Sequence, residues 1–216
     1  PDDLDKRGWL AGPAEPPAPS RQPDDVAALM YTTGTTGRPK GVMLTHHTVY
    51  AALRNICRFI GYSPETREVV VLPLSHNFGL GHLYCTLMNG GQVYTEPGLA
   101  RVGRVLRKLR DLPATGFPNT PAGIGMLLDR FGDAFVEHAR HLRYIVINSA
   151  PLPPERVVQL RQRLPGTRIL VYYGLTEASR SAFIDFDSVG PDKYASVGRP
   201  MAGVEMHLTP EHEILI

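Results

Sequence analysis

Short apolar runs alternate with helix-type segments through most of this 216-residue chain, and this alternation constrains the fold more than any other feature. The runs EVVVLP, QVYTE, RYIVINSA and TRILVYYG are rich in β-branched and aromatic residues, as strands are. Segments such as ARVGRVLRKLRDL and PPERVVQLRQRLP lie between them, with apolar residues at helical spacing. The connections are short, so the pattern predicts an α/β domain with a mostly parallel sheet flanked by helices.

Several segment ends carry start and stop signals. The run VAALMY, residues 26–31, is predicted to be a buried strand. The helix that follows it is expected to be capped by Thr45 and to end at Gly61. A further helix over residues 121–130 is expected to begin at Pro121, because proline suits the first helical position.

Composition divides the chain into three parts. Residues 1–23 are rich in proline and alanine, which predicts an extended linker. Residues 24–190 hold the strand and helix alternation, and residues 191–216 have few helix signals and predict the start of a β-rich subdomain. The chain begins at a proline, and its last stretch, EHEILI, stops within a predicted strand. We therefore expect a fragment of a longer chain.

The overall composition argues against several classes of partner. The net charge of +2 gives no global attraction to nucleic acid or to a membrane surface. No apolar run approaches the roughly 20 residues that a membrane span needs, and the start lacks the layout of a secretory signal. The two cysteines, Cys57 and Cys85, form no motif and are predicted to be buried free thiols. These features favour a cytoplasmic protein.

The stretch YTTGTTGRPKG, residues 31–41, predicts a phosphate-binding loop. Glycines allow the backbone to approach a ligand closely, hydroxyls donate hydrogen bonds, and lysine is a common phosphate ligand. These residues are Thr32, Thr33, Gly34, Thr35, Thr36, Gly37 and Lys40. The loop differs from the Walker pattern, because Pro39 precedes the lysine and Gly41 follows it. A flexible surface loop is the alternative.

Three further segments follow predicted strands, where open α/β sheets bind ligands. The segment LPLSHNFGLGH places His76, Asn77 and Phe78 as a pocket wall. The small residues of INSAPLP, residues 147–153, allow a flat ligand to lie against the backbone, although a tight turn would look the same. The segment YYGLTEASRS offers an aromatic face at Tyr173 and an oxygen ligand for Mg²⁺ at Glu177, with a surface turn as the alternative.

The four segments, in this order, resemble the adenylate-forming superfamily of acyl- and aryl-CoA synthetases, peptide synthetase adenylation domains and firefly-luciferase-like enzymes. YTTGTTGRPKGVMLTH is similar to the signature loop of that family, and YGLTE is similar to its second signature. The resemblance covers most of residues 24–216 and implies part of the large N-terminal domain. It also implies ATP- and Mg²⁺-dependent conversion of a small carboxylic acid to an acyl-adenylate, then transfer to CoA or to the phosphopantetheine of an acyl carrier protein.

The resemblance also implies residue roles. The loop from Thr32 to Lys40 would hold the β- and γ-phosphates, Tyr173 would stack on adenine, and Glu177 would bind Mg²⁺. Thr176 would contact the α-phosphate or the acid, and His76 would guard the carboxylate entrance. The remaining assignments are Asn148, Ser149 and Ala150 at the adenine, where the family is usually richer in glycine, Phe78 and Gly79 in the acid pocket, Gly174 at both ligands, and Gly198 near the nucleotide.

The resemblance narrows the acid as well. Members that activate α-amino acids carry an aspartate where Asn77 stands, and a neutral amide cannot balance a buried ammonium. The expected substrate is therefore a fatty, small aliphatic or aryl acid.

Two alternative functions stay open: a non-catalytic nucleotide-binding module of the same ancestry, and an unrelated P-loop phosphotransferase. The family's ribose-binding aspartate and catalytic lysine would lie beyond Ile216, so the 216 residues alone are expected to turn over poorly.

Overall fold

A central seven-stranded sheet organises the chain in the computed structural model, which describes residues 21–32 and 39–216. The sheet has the order β4-β3-β5-β6-β7-β8-β9. Strands β3 to β7 run parallel, and β8 and β9 are antiparallel additions. The strands are β1 (Val26–Thr32), β2 (Lys40–Thr45), β3 (Arg67–Val70), β4 (Gln92–Thr95), β5 (Gly116–Asn119), β6 (Tyr144–Ile147), β7 (Arg168–Tyr173), β8 (Ala182–Asp185), β9 (Arg199–Pro200), β10 (His207–Leu208) and β11 (Ile214–Leu215).

Five α-helices connect and cover these strands in the described residues: α1 (His46–Ile60), α2 (Asn77–Met88), α3 (Val102–Asp111), α4 (Pro121–Ala139) and α5 (Pro154–Arg163). The predicted signals at α1 are confirmed. The Thr45 side chain accepts a hydrogen bond from the backbone N–H of Thr48, and Gly61 ends the helix at a φ of 85°. Helix α4 begins at Pro121 as predicted but continues to Ala139, with a non-helical residue at Phe131.

The sheet is buried on both faces, as parallel sheets are. Side chains alternate between the two faces along each strand, so neighbouring residues enter different cores. Ile145 packs in a core with α3, α4 and α5, whereas Val146, next in the chain, packs in a second core with α1 and α2. The predicted α/β architecture with a mostly parallel sheet is confirmed.

Strands β2, β5 and β8 were not predicted from the sequence. Strand β5 contains Pro118, which lacks the N–H that a central strand needs on both sides. Its pairing with β6 runs over all four residues, whereas its pairing with β3 is confined to Glu68 and Gly116. Pro118 therefore lies where the ladder to β3 has already ended, so the missing N–H is tolerated.

The prediction that VAALMY is a buried strand is wrong. The run forms β1, which pairs only with β2 in a separate two-stranded antiparallel sheet. Leu29 and Tyr31 are 51% and 67% exposed, while Leu44 on the partner strand is buried. One face of the hairpin is therefore open, and a continuous apolar run alone does not reveal which face of a strand will pack.

The C-terminal residues contribute to two sheets. Strand β9 extends the central sheet through β8, while β10 and β11 form a separate antiparallel pair.

Within the residues that the structure describes, no helix is long and apolar enough to cross a membrane.

Candidate functional site

A cavity of about 320 Å³ lies beyond the carboxyl ends of strands β3, β6 and β7. Its wall brings together three segments that the sequence singled out. They contribute His76, Asn77 and Phe78 after β3, Asn148 and Ser149 after β6, and Gly174 and Thr176 after β7. A cavity of this size at this edge of the sheet is where open α/β domains bind small ligands.

The segment after β3 turns directly into helix α2. His76 is the N-cap residue and is exposed at the cavity mouth, and Asn77 is the first helical residue. Phe78 is half-buried and lies edge-on to Tyr172, with 5.5 Å between the ring centroids. Gly79 is buried behind this wall, where an added Cβ would lie 2.6 Å from the carbonyl oxygen of Pro73. It allows the helix to approach the strand, and its assignment to the acid pocket stays a prediction.

The segment after β6 is held by a side-chain hydrogen bond. The Asn148 amide donates to the carbonyl oxygen of Tyr172 over 2.6 Å, which ties the end of β6 to the end of β7. Ser149 has a φ of 89°, a left-handed backbone conformation that is rare outside glycine. Its side chain is exposed at the cavity, whereas Ala150 is exposed but lies outside the wall.

The segment after β7 forms a tight reverse turn into β8. Leu175 N–H donates to the carbonyl oxygen of Ala178 over 3.0 Å. A Cβ at Gly174 would lie 2.9 Å from that same oxygen and would also meet the backbone nitrogen of Arg180. Only glycine fits this turn without a backbone shift. The turn presents Thr176 to the cavity.

Two consecutive tyrosines at the end of β7 take different environments. Tyr172 is buried on the cavity wall, where burial raises the pKa of its phenol well above the usual range. Tyr173, which the sequence assigned to adenine stacking, is half-buried and is not part of that wall. Adjacent residues of a strand point to opposite faces, so the two side chains diverge. Tyr172 was not predicted as a site residue.

A second, larger cavity of about 540 Å³ shares Asn77, Thr176 and Arg180 with the first. Glu177 is exposed and lines this larger cavity. Ala28 and Met30 of the β1–β2 hairpin line it as well. The hairpin that carries the Thr/Gly loop therefore borders the same space as Glu177.

The Thr/Gly loop itself lies between the two hairpin strands. Thr32 is the last residue of β1 and pairs in register with Lys40, the first residue of β2. Lys40 is exposed and Thr32 is half-buried. The predicted phosphate ligands Thr33, Gly34, Thr35, Thr36 and Gly37 lie outside the described residues.

A buried polar cluster lies behind the smaller cavity. The Glu68 carboxylate accepts hydrogen bonds from the hydroxyls of Tyr62 and Tyr144, each over 2.8 Å, and from that of Thr86 over 3.0 Å. The Nδ1 atom of His82 lies 3.0 Å from Glu68, and its ring stacks on Tyr172 at 6.3 Å. Burial raises the pKa of both Tyr62 and Tyr144, so the phenols stay protonated donors. The cluster fixes α2, and with it the cavity wall, against the sheet.

No group of three or more histidine, cysteine, aspartate or glutamate side chains able to hold a metal occurs in residues 21–32 and 39–216. Glu177 alone of the predicted residues offers a carboxylate at the cavities. A single exposed carboxylate fits the usual mode of Mg²⁺, which shares its sites between one or two carboxylates and substrate phosphates.

The fold is an open α/β domain with a cavity at the carboxyl ends of its strands, the place where such domains bind ligands. The sequence matches the AMP-binding enzyme family over residues 2–213. The chain belongs to this family and hence to the adenylate-forming superfamily, which confirms the resemblance found in its motifs.

Three comparisons illustrate the relationship. The oxalate–CoA ligase of Arabidopsis thaliana is 31% identical over 192 residues, covering 88% of this chain and 37% of the relative. The O-succinylbenzoate coenzyme A synthetase of Bacillus subtilis, in complex with ATP and magnesium, has a TM-score of 0.75 at 25% identity, covering 90% of this chain and 40% of that one. The N-terminal domain of FACL13 from Mycobacterium tuberculosis, solved with an inhibitor, has a TM-score of 0.81 at 24% identity over 100% of this chain and 53% of that one.

The chain thus spans about a third of the length of the curated ligase that it matches. The likeness to FACL13 shows that the chain has the fold of that N-terminal domain, and the family match assigns this fold to the adenylate-forming superfamily, as the sequence predicted.

Proposed function

We propose that the protein activates a carboxylic acid with ATP and transfers the acyl group to a thiol. A carboxylate oxygen attacks the α-phosphorus of ATP and forms a new P–O bond. The bond from that phosphorus to the bridging oxygen breaks, and pyrophosphate leaves. A thiol sulfur of CoA or of a carrier-protein phosphopantetheine then attacks the acyl carbonyl, loses its proton, and displaces AMP. The observation that carries this proposal is the convergence of three predicted segments on one cavity.

The proposed residue roles follow the family match. The loop from Thr32 to Lys40 binds the β- and γ-phosphates, and its cation and backbone N–H groups offset charge as two anions approach. Asn148, Ser149 and Ala150 are assigned to the adenine and Tyr173 to stacking on it, although Ala150 and Tyr173 lie outside the wall of the smaller cavity and are assigned by the family match alone. Support for the first two comes from their position on the cavity wall at the carboxyl end of β6.

The acid and the α-phosphate are proposed to meet at Thr176, whose turn reaches both cavities. His76 stands at the mouth, and Gly174 leaves space beside the reacting groups. Glu177 would hold Mg²⁺, which supplies positive charge to the phosphates when bound. Holding the two reactants in line supplies much of the remaining acceleration.

The proposed acid has no α-amino group. Asn77 offers a neutral amide where a carboxylate would be needed to pair an ammonium. Its side-chain oxygen Oδ1 and its backbone carbonyl oxygen also already accept hydrogen bonds from Arg180. The buried Arg180 guanidinium on the same wall adds repulsion toward a second cation. Fatty, small aliphatic and aryl acids remain as substrates. A cytoplasmic location also stays a prediction. Cys85 is a buried free thiol, as predicted, whereas Cys57 is a free thiol that is only half-buried.

ATP–pyrophosphate exchange with the full-length protein over a panel of acids tests the proposal. We expect exchange with acids that lack an α-amino group and none above background with α-amino acids. Preference for an α-amino acid would refute the substrate class. Nucleotide binding without any pyrophosphate exchange would favour the non-catalytic alternative, and ADP as the product would favour a phosphotransferase.

A further inference from the structure

Arg180 is a buried cation on the wall of both cavities. It is 3% exposed and follows Glu177 in the turn between β7 and β8. Arg161 and Arg168 have side chains that are 35% and 41% exposed, yet each pairs with an aspartate. No carboxylate lies within 4.0 Å of the Arg180 guanidinium among residues 21–32 and 39–216. A buried charge without a counter-ion is costly, so buried arginines are normally paired.

The hydrogen bonds of Arg180 do not supply the missing negative charge. Its Nη2 donates to the carbonyl oxygen of Asn77 over 2.6 Å, and its Nη1 donates to Ser179 Oγ over 2.6 Å and to Asn77 Oδ1 over 3.3 Å. All of these acceptors are neutral. Its Nε is buried without a hydrogen-bond partner in the described part of the chain. A guanidinium has five N–H donors, so part of its capacity is unused.

Neighbouring residues shape a seat for this guanidinium. A Cβ at Gly81 would collide with Nη2 of Arg180, so helix α2 has a glycine where the cation lies. The ring of Tyr172 is 5.9 Å from the guanidinium carbon, close enough for a cation–π contact. The Glu68 carboxylate of the neighbouring polar cluster already accepts hydrogen bonds from Tyr62 and Tyr144. The cation is therefore held in place, and no carboxylate of residues 21–32 and 39–216 is in contact with it.

The position of Arg180 relative to the mouth suggests which anion it takes. His76 and Ser149 are exposed at the strand ends, where the proposed reaction with ATP takes place, whereas Arg180 is buried. An acid that presents its reacting carboxylate at Thr176 directs its other end into the cavity. Because Thr176 and Arg180 belong to one short turn and line the same cavities, an acid that reaches from one to the other is short.

We propose that Arg180 binds a second anionic group of the acid, so that the site selects short acids with two negative charges. This inference rests on the proposed acid-activating function and narrows its substrate class to dicarboxylic or similarly dianionic acids. The free donors and the uncompensated charge of Arg180 recognise the far anion, while the near carboxylate reacts.

Matched acid pairs test this selectivity in the full-length protein by ATP–pyrophosphate exchange. Succinate is compared with butyrate, and glutarate with pentanoate, because each pair differs by one carboxylate in place of a methyl group. We expect kcat/KM to be about 10- to 100-fold higher for the dianionic member, the range of one charge-assisted hydrogen bond. Equal values, or higher values for butyrate and pentanoate, would overturn the inference.

Substitution separates anion binding from a structural role of Arg180. Arg180→Gln is expected to abolish the preference: kcat/KM for succinate falls, while kcat/KM for butyrate stays within about threefold of the wild-type value. Equal losses of kcat/KM for both acids would indicate a structural role and refute the inference. Arg180→Lys keeps the charge and is expected to retain part of the preference. Arg161→Gln, at an arginine paired with Asp187 outside both cavities, is the matched control and should leave the preference unchanged.

A binding measurement without ATP distinguishes failure of this inference from failure of the proposed function. Succinate, but not butyrate, is expected to raise the thermal unfolding temperature of the wild-type protein, and Arg180→Lys is expected to weaken that shift. If no acid supports exchange, the proposed function fails, and a succinate-specific shift still supports the anion site. Equal shifts with both acids, or none, would contradict the site itself. If Arg180→Gln does not fold, the wild type and Arg180→Lys decide the outcome.

Discussion

Replacing Tyr144 with phenylalanine would remove one hydroxyl from the buried cluster around Glu68. That hydroxyl donates to Glu68 Oε1 over 2.8 Å, and Glu68 is 0% exposed. The phenylalanine ring can occupy the same space, 6.2 Å from the ring of Tyr62. The ring also packs so closely on Gly116 that a Cβ there would collide with it. The substitution therefore deletes a hydrogen bond and leaves the apolar packing in place.

The expected loss of stability follows from the partners. A hydrogen bond to a charged group contributes about 1.5–3 kcal/mol, and no water can replace the lost donor easily at a fully buried carboxylate. Tyr62 and Thr86 still donate to Glu68, so the cluster is weakened without being emptied. We expect Tyr144→Phe to lower the free energy of unfolding by about 2 kcal/mol.

Urea unfolding of the full-length protein, followed by circular dichroism, measures this loss. Tyr94→Phe is the matched control, because its hydroxyl donates to Gln92 Oε1 over 3.0 Å at the surface. The control should lower the free energy of unfolding by less than about 0.5 kcal/mol. If the losses in free energy of unfolding of the two variants differ by less than about 0.5 kcal/mol, the Tyr144 hydroxyl does not stabilise the fold through Glu68.

Two further substitutions test the turn after β7 and the contact between β4 and α3. Gly174→Ala places a Cβ 2.9 Å from the backbone oxygen of Ala178 and against Arg180, so we expect a loss of about 1–3 kcal/mol in urea unfolding and a larger relative loss of pyrophosphate exchange; wild-type values for both would contradict the steric argument. The Lys108 ammonium, whose Nζ lies 3.0 Å from Glu96 Oε1, lowers the pKa of Glu96 below its ordinary 4.5. Because the folded pKa is the lower one, this stability is present above pH 4.5 and is lost as the pH falls through the folded pKa. Glu96→Gln should therefore be less stable than wild type at pH 7 and approach it at acidic pH, and a gap that is constant with pH would refute this explanation.

Local patterns predicted the parts of the fold that depend on neighbours in sequence. Runs of β-branched and aromatic residues predicted the strands β3, β4, β6 and β7, and the capping residues Thr45 and Gly61 marked the ends of α1. The errors concern distant pairing. Strand β5 contains Pro118, a residue that is unfavourable in a central strand, and only the sheet order shows that its missing N–H faces no partner. Likewise, the apolar run of β1 did not show that it would pair with β2 alone.

The candidate site was predictable to the extent that strand ends converge. Ligands bind at the carboxyl ends of parallel strands, and this rule predicted from the sequence that His76, Asn148 and Thr176 belong to one site. All three line the smaller cavity. Which of two adjacent tyrosines faces the cavity depends on the strand's rotation, so Tyr172 was missed. Arg180 was missed because burial of a cation is a property of the packed structure. The available signal was its place beside Glu177, directly ahead of the strand-like run SAFIDF.

The reversal of chain direction between β7 and β8 has a consequence for how the specificity of this fold can diverge. Because β8 runs antiparallel, its amino end returns to the edge where the parallel strands finish. One connection of a few residues therefore carries Thr176 on its outgoing side and Arg180 on its return. A change of side chain at position 176 or 180 therefore alters the cavity wall directly, while the residues that pair β7 with β8 stay the same. The shape and charge of the cavity can thus vary through one short connection while the hydrophobic cores on the two faces of the sheet are kept.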